Sequence, residues 1–160
     1  MRLGALAERK FAMDLADLTP DIDECNCFAV RKAARRLSRL YDDILQPAGL
    51  RITQFTILAV LAKISGASVN ELAELLDLER TAMGKTLGPL ERDGLIRIEP
   101  SPVDARSRVV KLTSKGTRVF QDAVPLWRQA QQQLAELNGT RWIDALRSSL
   151  SEIKVEKVSG

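Results

Sequence analysis

Arg80, Thr81, Lys85 and Thr86 fall on one side of a helical stretch whose other side carries Met83, Leu87 and Leu90 at i, i+4 and i+7. Small polar and basic side chains on one face are what a helix needs to lie close to base edges and phosphates. Downstream, Asp104, Arg106 and Arg108 sit in or beside a turn-rich stretch with Pro100 and Pro102. A cation held at such a turn can reach phosphates or a minor groove. From Arg80 to Arg118 nine cations face four acids, +5 in a chain whose net charge is +3. The other reactive groups are two thiols, Cys25 and Cys27, too close together to staple a fold.

Several chemistries are excluded by what is missing. The 160 residues include no histidine, which removes Ser-His-Asp and Cys-His catalysis and histidine zinc sites together. Two cysteines cannot form a tetrathiolate site, and no paired carboxylates stand out as an acid/base couple. No metal, cofactor or catalytic residue is therefore expected, and the chain is not read as an enzyme. Its first stretch is interrupted by Glu8, Arg9, Lys10, Asp14 and Asp17, so it lacks the unbroken apolar run of a signal peptide. No run approaches the roughly 18 apolar residues of a membrane span. A cytoplasmic protein with reduced thiols and no membrane partner is the expectation.

Periodicity supplies the elements that must hold these residues. Leu3, Leu6, Phe11, Leu15 and Leu18 give an apolar side to a short N-terminal helix ended by Thr19-Pro20-Asp21. A long helical pattern runs from about Asp23 to Gln46, and Pro47-Ala48-Gly49 stops it. Thr53 is a fair N-cap for the next helix, with Ser65-Gly66 as its stop. Ser68 and Glu71 match a capping box that opens a short helix, and a further helix runs from about Glu79 to Arg92. The period then shortens: 95–99 and 108–112 read as two strands around a long turn, a hairpin. Thr113 caps a long helix to about Leu137, and Gly139-Thr140 opens a last one. Pro89 and Pro125 lie inside helical patterns and are expected to bend them. The fold class is mainly α (α+β).

Two short helices followed by a two-stranded hairpin outline a winged helix-turn-helix, whose second helix enters a major groove. Here the chain resembles a known family. Residues 104–116, Asp-Ala-Arg-Ser-Arg-Val-Val-Lys-Leu-Thr-Ser-Lys-Gly, are similar to the D-x-R-x-x-x-V-x-L-T-x-x-G wing signature of MarR-type transcriptional regulators. Leu72-Ala73, Leu78-Glu79-Arg80-Thr81 and the run from Leu90 to Ile96 match that family's helix-turn-helix in order and spacing. The resemblance implies a single domain over 1–160. Its helices over 1–50 and 117–155 would form a homodimer, and a winged lobe over 53–116, with its wing over 95–112, would hold the DNA. It also implies that Arg106 enters the minor groove, oriented by Asp104. The function so implied is a sequence-specific regulator, a homodimeric repressor on a pseudo-palindromic duplex operator. The alternative is a winged-helix adaptor that binds protein and not DNA.

Two effectors are open at this point. Cys27-Phe28-Ala29-Val30 resembles a stretch in the organic-hydroperoxide-sensing branch of the family, where tyrosines hydrogen-bond the cysteine; Tyr41 falls at one such position. A helix N-terminus favours the thiolate that reacts with oxidant. The second is a small aromatic or anionic ligand, for which Arg31 and Arg35 on the first long helix could supply the cations. Such a stripe is more often a solvated face.

Overall fold

The computed structural model describes residues 21–101 and 107–155; the expected N-terminal helix lies outside the described residues. The chain divides into two compact units, residues 1–37 and 38–160. In the first, a 3-10 turn over Ile22–Glu24 is capped by Asp21, whose carboxylate accepts the Asp23 N–H at 3.0 Å. Cys25 is extended, and α1 (Asn26–Leu45) begins just after it. The helix expected from Asp23 is thus broken in two, because a short acid side chain competes for the backbone donors a helix would use.

In the second unit α1 ends at Leu45, and a 3-10 turn over Gln46–Ala48 leads to Gly49 in the left-handed region, φ 69°. Helix α2 (Ile52–Ile64) starts before Thr53, which lies inside it. Two side chains satisfy the donors at its start: Gln54 of α2 itself accepts the Arg51 N–H at 2.9 Å, and Asp42 of α1 accepts the Ile52 N–H at 2.7 Å. A cap supplied by another helix leaves no local sequence signal. Phe55, Ile57, Leu58 and Leu61 are buried, which makes α2 the central helix of this unit.

Ser65 ends α2 in the left-handed region, and Gly66 follows at φ 135°. A Cβ on Gly66 would meet Lys111 Cγ at 3.0 Å, so the chain turns where only glycine fits. Next comes a strand the periodicity did not reveal, β1 (Ala67–Ser68), too short to show alternation. Helix α3 (Val69–Leu75) has the expected capping box: Glu71 accepts the Ser68 N–H at 2.7 Å, and the Ser68 hydroxyl accepts the Glu71 N–H at 3.2 Å. Helix α4 (Arg80–Arg92) continues past Pro89 without interruption. Strands β2 (Ile96–Pro100) and β3 (Arg108–Leu112) pair antiparallel, and β1 adds to the far side of β3, giving the order β1-β3-β2. Helices α5 (Ser114–Asn138), which runs on past Pro125, and α6 (Thr140–Ser151) complete the unit.

Leu45, Leu58, Leu61, Leu72, Met83, Leu87, Leu90, Ile96 and Val110 form the dry centre, and the Phe55 ring packs against those of Phe120 and Trp127. Met83, Leu87 and Leu90 are at most 1% exposed and stabilise the seat of α4 by about 2 kcal/mol each. The junction of α4, the wing and α5 is tied by polar groups as well. Thr113 donates its N–H to the Leu95 carbonyl at 3.1 Å and its hydroxyl to the Gly94 carbonyl at 2.6 Å. The same hydroxyl accepts the Gly116 N–H at 2.9 Å, and Lys115 donates to the Asp93 carbonyl at 2.8 Å.

Gly116 packs on the Leu95 backbone so closely that a Cβ there would lie 1.9 Å from the Leu95 carbonyl oxygen. The substitution Gly116→Ala must push α5 away from the wing. A loss of about 2–3 kcal/mol is expected, the range for overpacking a filled site. A melting temperature equal to that of the wild type would show that the contact has slack.

Candidate nucleic-acid interface

Helix α4 turns Arg80, Thr81 and Lys85 outward; all three are exposed, and its buried side fixes their direction. Thr86 is only half-buried on a flank, and its hydroxyl donates to the Ala82 carbonyl at 3.0 Å. Two residues that the motif reading passed over share the outer face: Gly84 and Gly88, a helical turn apart, each with open space where a Cβ would stand. Glycine inside a helix costs about 1 kcal/mol relative to alanine, and no neighbour within the protein requires it here. Its effect is to let another molecule's backbone approach the helix axis. A wheel drawn on Met83, Leu87 and Leu90 would have revealed the bare stripe.

The hairpin packs on this helix through β2, and Arg108 is exposed at the start of β3. Asp104 and Arg106 lie outside the described residues. Elsewhere on the wing the charge is less free than the sequence count implies. Arg97 and Lys111 stand directly opposite each other on β2 and β3, a repulsive pairing that Glu99 relieves. Its carboxylate accepts from Lys111 at 2.6 Å and from Arg97 at 2.9 Å. These two hydrogen bonds, Lys111's first, hold the Glu99 carboxyl below the usual glutamate range. Among the described residues Arg80, Lys85, Arg108 and Arg118 make no ion pair and remain available to an outside anion.

A MarR family sequence profile matches residues 48–107, which span the helix-turn-helix and most of the hairpin. The solved structure of the Mycobacterium tuberculosis transcriptional regulator MosR in complex with DNA is 37% identical. It covers 82% of this chain and 100% of its own, with a TM-score of 0.68. This chain belongs to the MarR family. The transcriptional repressor CouR, solved on a 23-mer DNA duplex, is 30% identical over 81% of this chain and 92% of its own, TM-score 0.74. The activatory protein BadR of Rhodopseudomonas palustris is 28% identical over 72% of this chain and 69% of its own length. These relatives are transcriptional regulators, and the winged helix-turn-helix read from the motifs is the fold observed.

The other sequence-derived residues are carried by other elements. Cys27 is exposed in the first turn of α1. The thiol that meets the helix N-terminus is that of Cys25: its sulfur accepts the Phe28 N–H at 3.5 Å, in the place of an N-cap oxygen. Tyr41 is buried and donates its hydroxyl to Gln131 at 2.6 Å, so its hydrogen bond goes to an amide and not to a cysteine. Burial raises the Tyr41 pKa, and Arg147 partly offsets this. Arg31 and Arg35 are exposed, without an ion pair among the described residues. Among those residues, too, no His, Cys, Asp and Glu cluster has the makings of a metal site, and no single helix is long and apolar enough to cross a membrane.

Because Glu99 titrates below its ordinary value near 4.5, the wing's ion triad stabilises the fold above that pH and weakens as the pH falls through the lowered value. In Glu99→Gln this contribution is absent. The wild-type melting temperature should therefore fall more steeply than the variant's between pH 5 and pH 3; parallel curves would mean that the triad contributes nothing to folding.

Proposed function

We propose that this MarR-family chain is a sequence-specific DNA-binding transcriptional regulator, acting as a homodimeric repressor on a pseudo-palindromic operator. The observation that carries the reading is the outer face of α4, where Arg80, Thr81 and Lys85 flank two glycines on a helix anchored by a buried apolar side. Such a face suits a major groove: cations for phosphate and guanine, a hydroxyl for base edges, and no bulk between the helix and the bases. Arg108, at the foot of the wing tip, and Arg106, oriented by Asp104, extend the contact to backbone and minor groove. That MosR and CouR have been solved on DNA supports the same reading. The alternative, an adaptor that binds only protein, does not account for unpaired cations beside bare helix.

Arg106→Ala is expected to weaken operator binding by about 1–3 kcal/mol. Gly84→Leu should abolish binding while leaving the melting temperature unchanged or higher, since it adds a better helix former in open space. Fluorescence anisotropy on a labelled operator reads both, and unchanged affinity in either variant counts against an inserted wing or a close-lying helix.

The dimer rests on apolar surface that a lone protomer leaves in water. Leu137, Trp142, Leu150 and Ile153, at the end of α5 and along and just past α6, are all exposed, Leu137 to 71%. In this reading residues 1–50 and 117–155 supply the dimer helices, and 53–116 the DNA-binding lobe. Two-fold symmetry then sets paired recognition helices about one DNA turn apart. Sedimentation should give twice 17.7 kDa at micromolar concentration, and a monomer would reject the arrangement.

Release follows from a small ligand or an oxidant. Exposed Arg31 and Arg35 suit an aromatic or otherwise anionic ligand; the thiols suit an organic hydroperoxide. A substoichiometric dose of cumene hydroperoxide should release DNA from the wild type and not from a Cys25→Ser, Cys27→Ser protein. Equal release from both removes the thiols from the mechanism. No catalytic, metal or cofactor role is assigned to any residue.

A further inference from the structure

The lobe carries a second surface whose charge is opposite to that of α4. A cleft of about 510 Å³ opens between the end of α2, β1 and α3, lined by Ile64, Gly66, Ala67, Glu71, Glu74 and Leu75. Its apolar part lies open: Ile64 is 40% exposed and Leu75 60%, with Leu78 nearby in sequence at 42%. From Ile64 to Glu79 the chain has four acids, Glu71, Glu74, Asp77 and Glu79, and no base. Glu71 is fixed in direction by its bonds to Ser68, which also hold its carboxyl below the usual range. Glu74 makes no ion pair among the described residues. Apolar side chains left open to water at a cleft, with carboxylates at its rim, form a patch of the kind that binds a partner of opposite charge.

We infer that this cleft docks a lysine- or arginine-rich protein segment with an aliphatic anchor, offered by a second protein bound to adjacent DNA. Glu71 and Glu74, the two acids that line the cleft, repel phosphate, so the occupant is neither the operator nor an anionic lipid surface. A protein resting on the same duplex has cationic edges, since it must neutralise phosphates of its own. Its lysines or arginines would pair with Glu71 and Glu74 while its aliphatic side chain covers Ile64 and Leu75. An area this small gives a transient contact, weakened by salt. The inference rests on the DNA-binding reading above, and its test keeps the two apart.

The probe is RNA polymerase holoenzyme, offered to full-length regulator already seated on immobilised operator DNA and followed by biolayer interferometry. Glu74→Lys with Leu75→Ala changes two exposed side chains that lie outside the core and the recognition face. The double variant should keep the wild-type melting temperature and operator affinity while binding polymerase at least tenfold more weakly. A benzoylphenylalanine crosslinker at position 75 should attach to a basic segment of the polymerase. Polymerase binding unchanged in the variant overturns the inference, as does a wild type that holds its operator and ignores polymerase. Crosslinking only to a second regulator molecule overturns it too. Loss of operator binding in the wild type would instead reject the DNA-binding reading.

Discussion

The contact between Gly116 and the Leu95 carbonyl is the constraint on which the DNA-binding lobe depends. It brings the start of α5 against the point where α4 gives way to the wing, closer than any side chain permits. Once there, Thr113 and Lys115 satisfy carbonyls that the end of α4 leaves without helical partners. Helix α4, the wing and α5 are therefore joined at one point. A displacement of α5 is transmitted to the junction of α4 and the wing.

Charge on this lobe is allocated, not merely abundant. Glu99 engages two wing cations that would otherwise repel each other across the ladder, and Lys115 is committed to a backbone carbonyl. Among the described residues of α4 and the wing, those left without an ion pair are Arg80 and Lys85 on the outer side of α4 and Arg108 at the start of β3. The acidic run from Glu71 to Glu79 comes immediately before the basic helix in sequence, so one short stretch of chain presents two surfaces of opposite sign. The two surfaces therefore suit partners of opposite charge.

Much of this was legible in the residues. The Ser68–Glu71 box, the Thr113 cap, the inward Met83, Leu87 and Leu90 and the 108–112 strand all follow from local rules, because their partners are near in sequence. The MarR family likewise follows from the wing signature and the helix-turn-helix spacing. The start of α2 was missed because Asp42, ten residues away, caps it. The two-residue β1 was missed because only its pairing with β3 defines it. The thiol at the start of α1 is Cys25, since Asp21 diverts the preceding residues into a separate turn.

The sequence by itself determined the order of elements, the outward cations of α4 and the family, because each is set by spacing along one segment. Tertiary structure alone decided which cations are neutralised, why position 116 must be glycine and where Tyr41 sends its hydroxyl. Those outcomes depend on groups that meet only after the chain has folded, across distances no local pattern records.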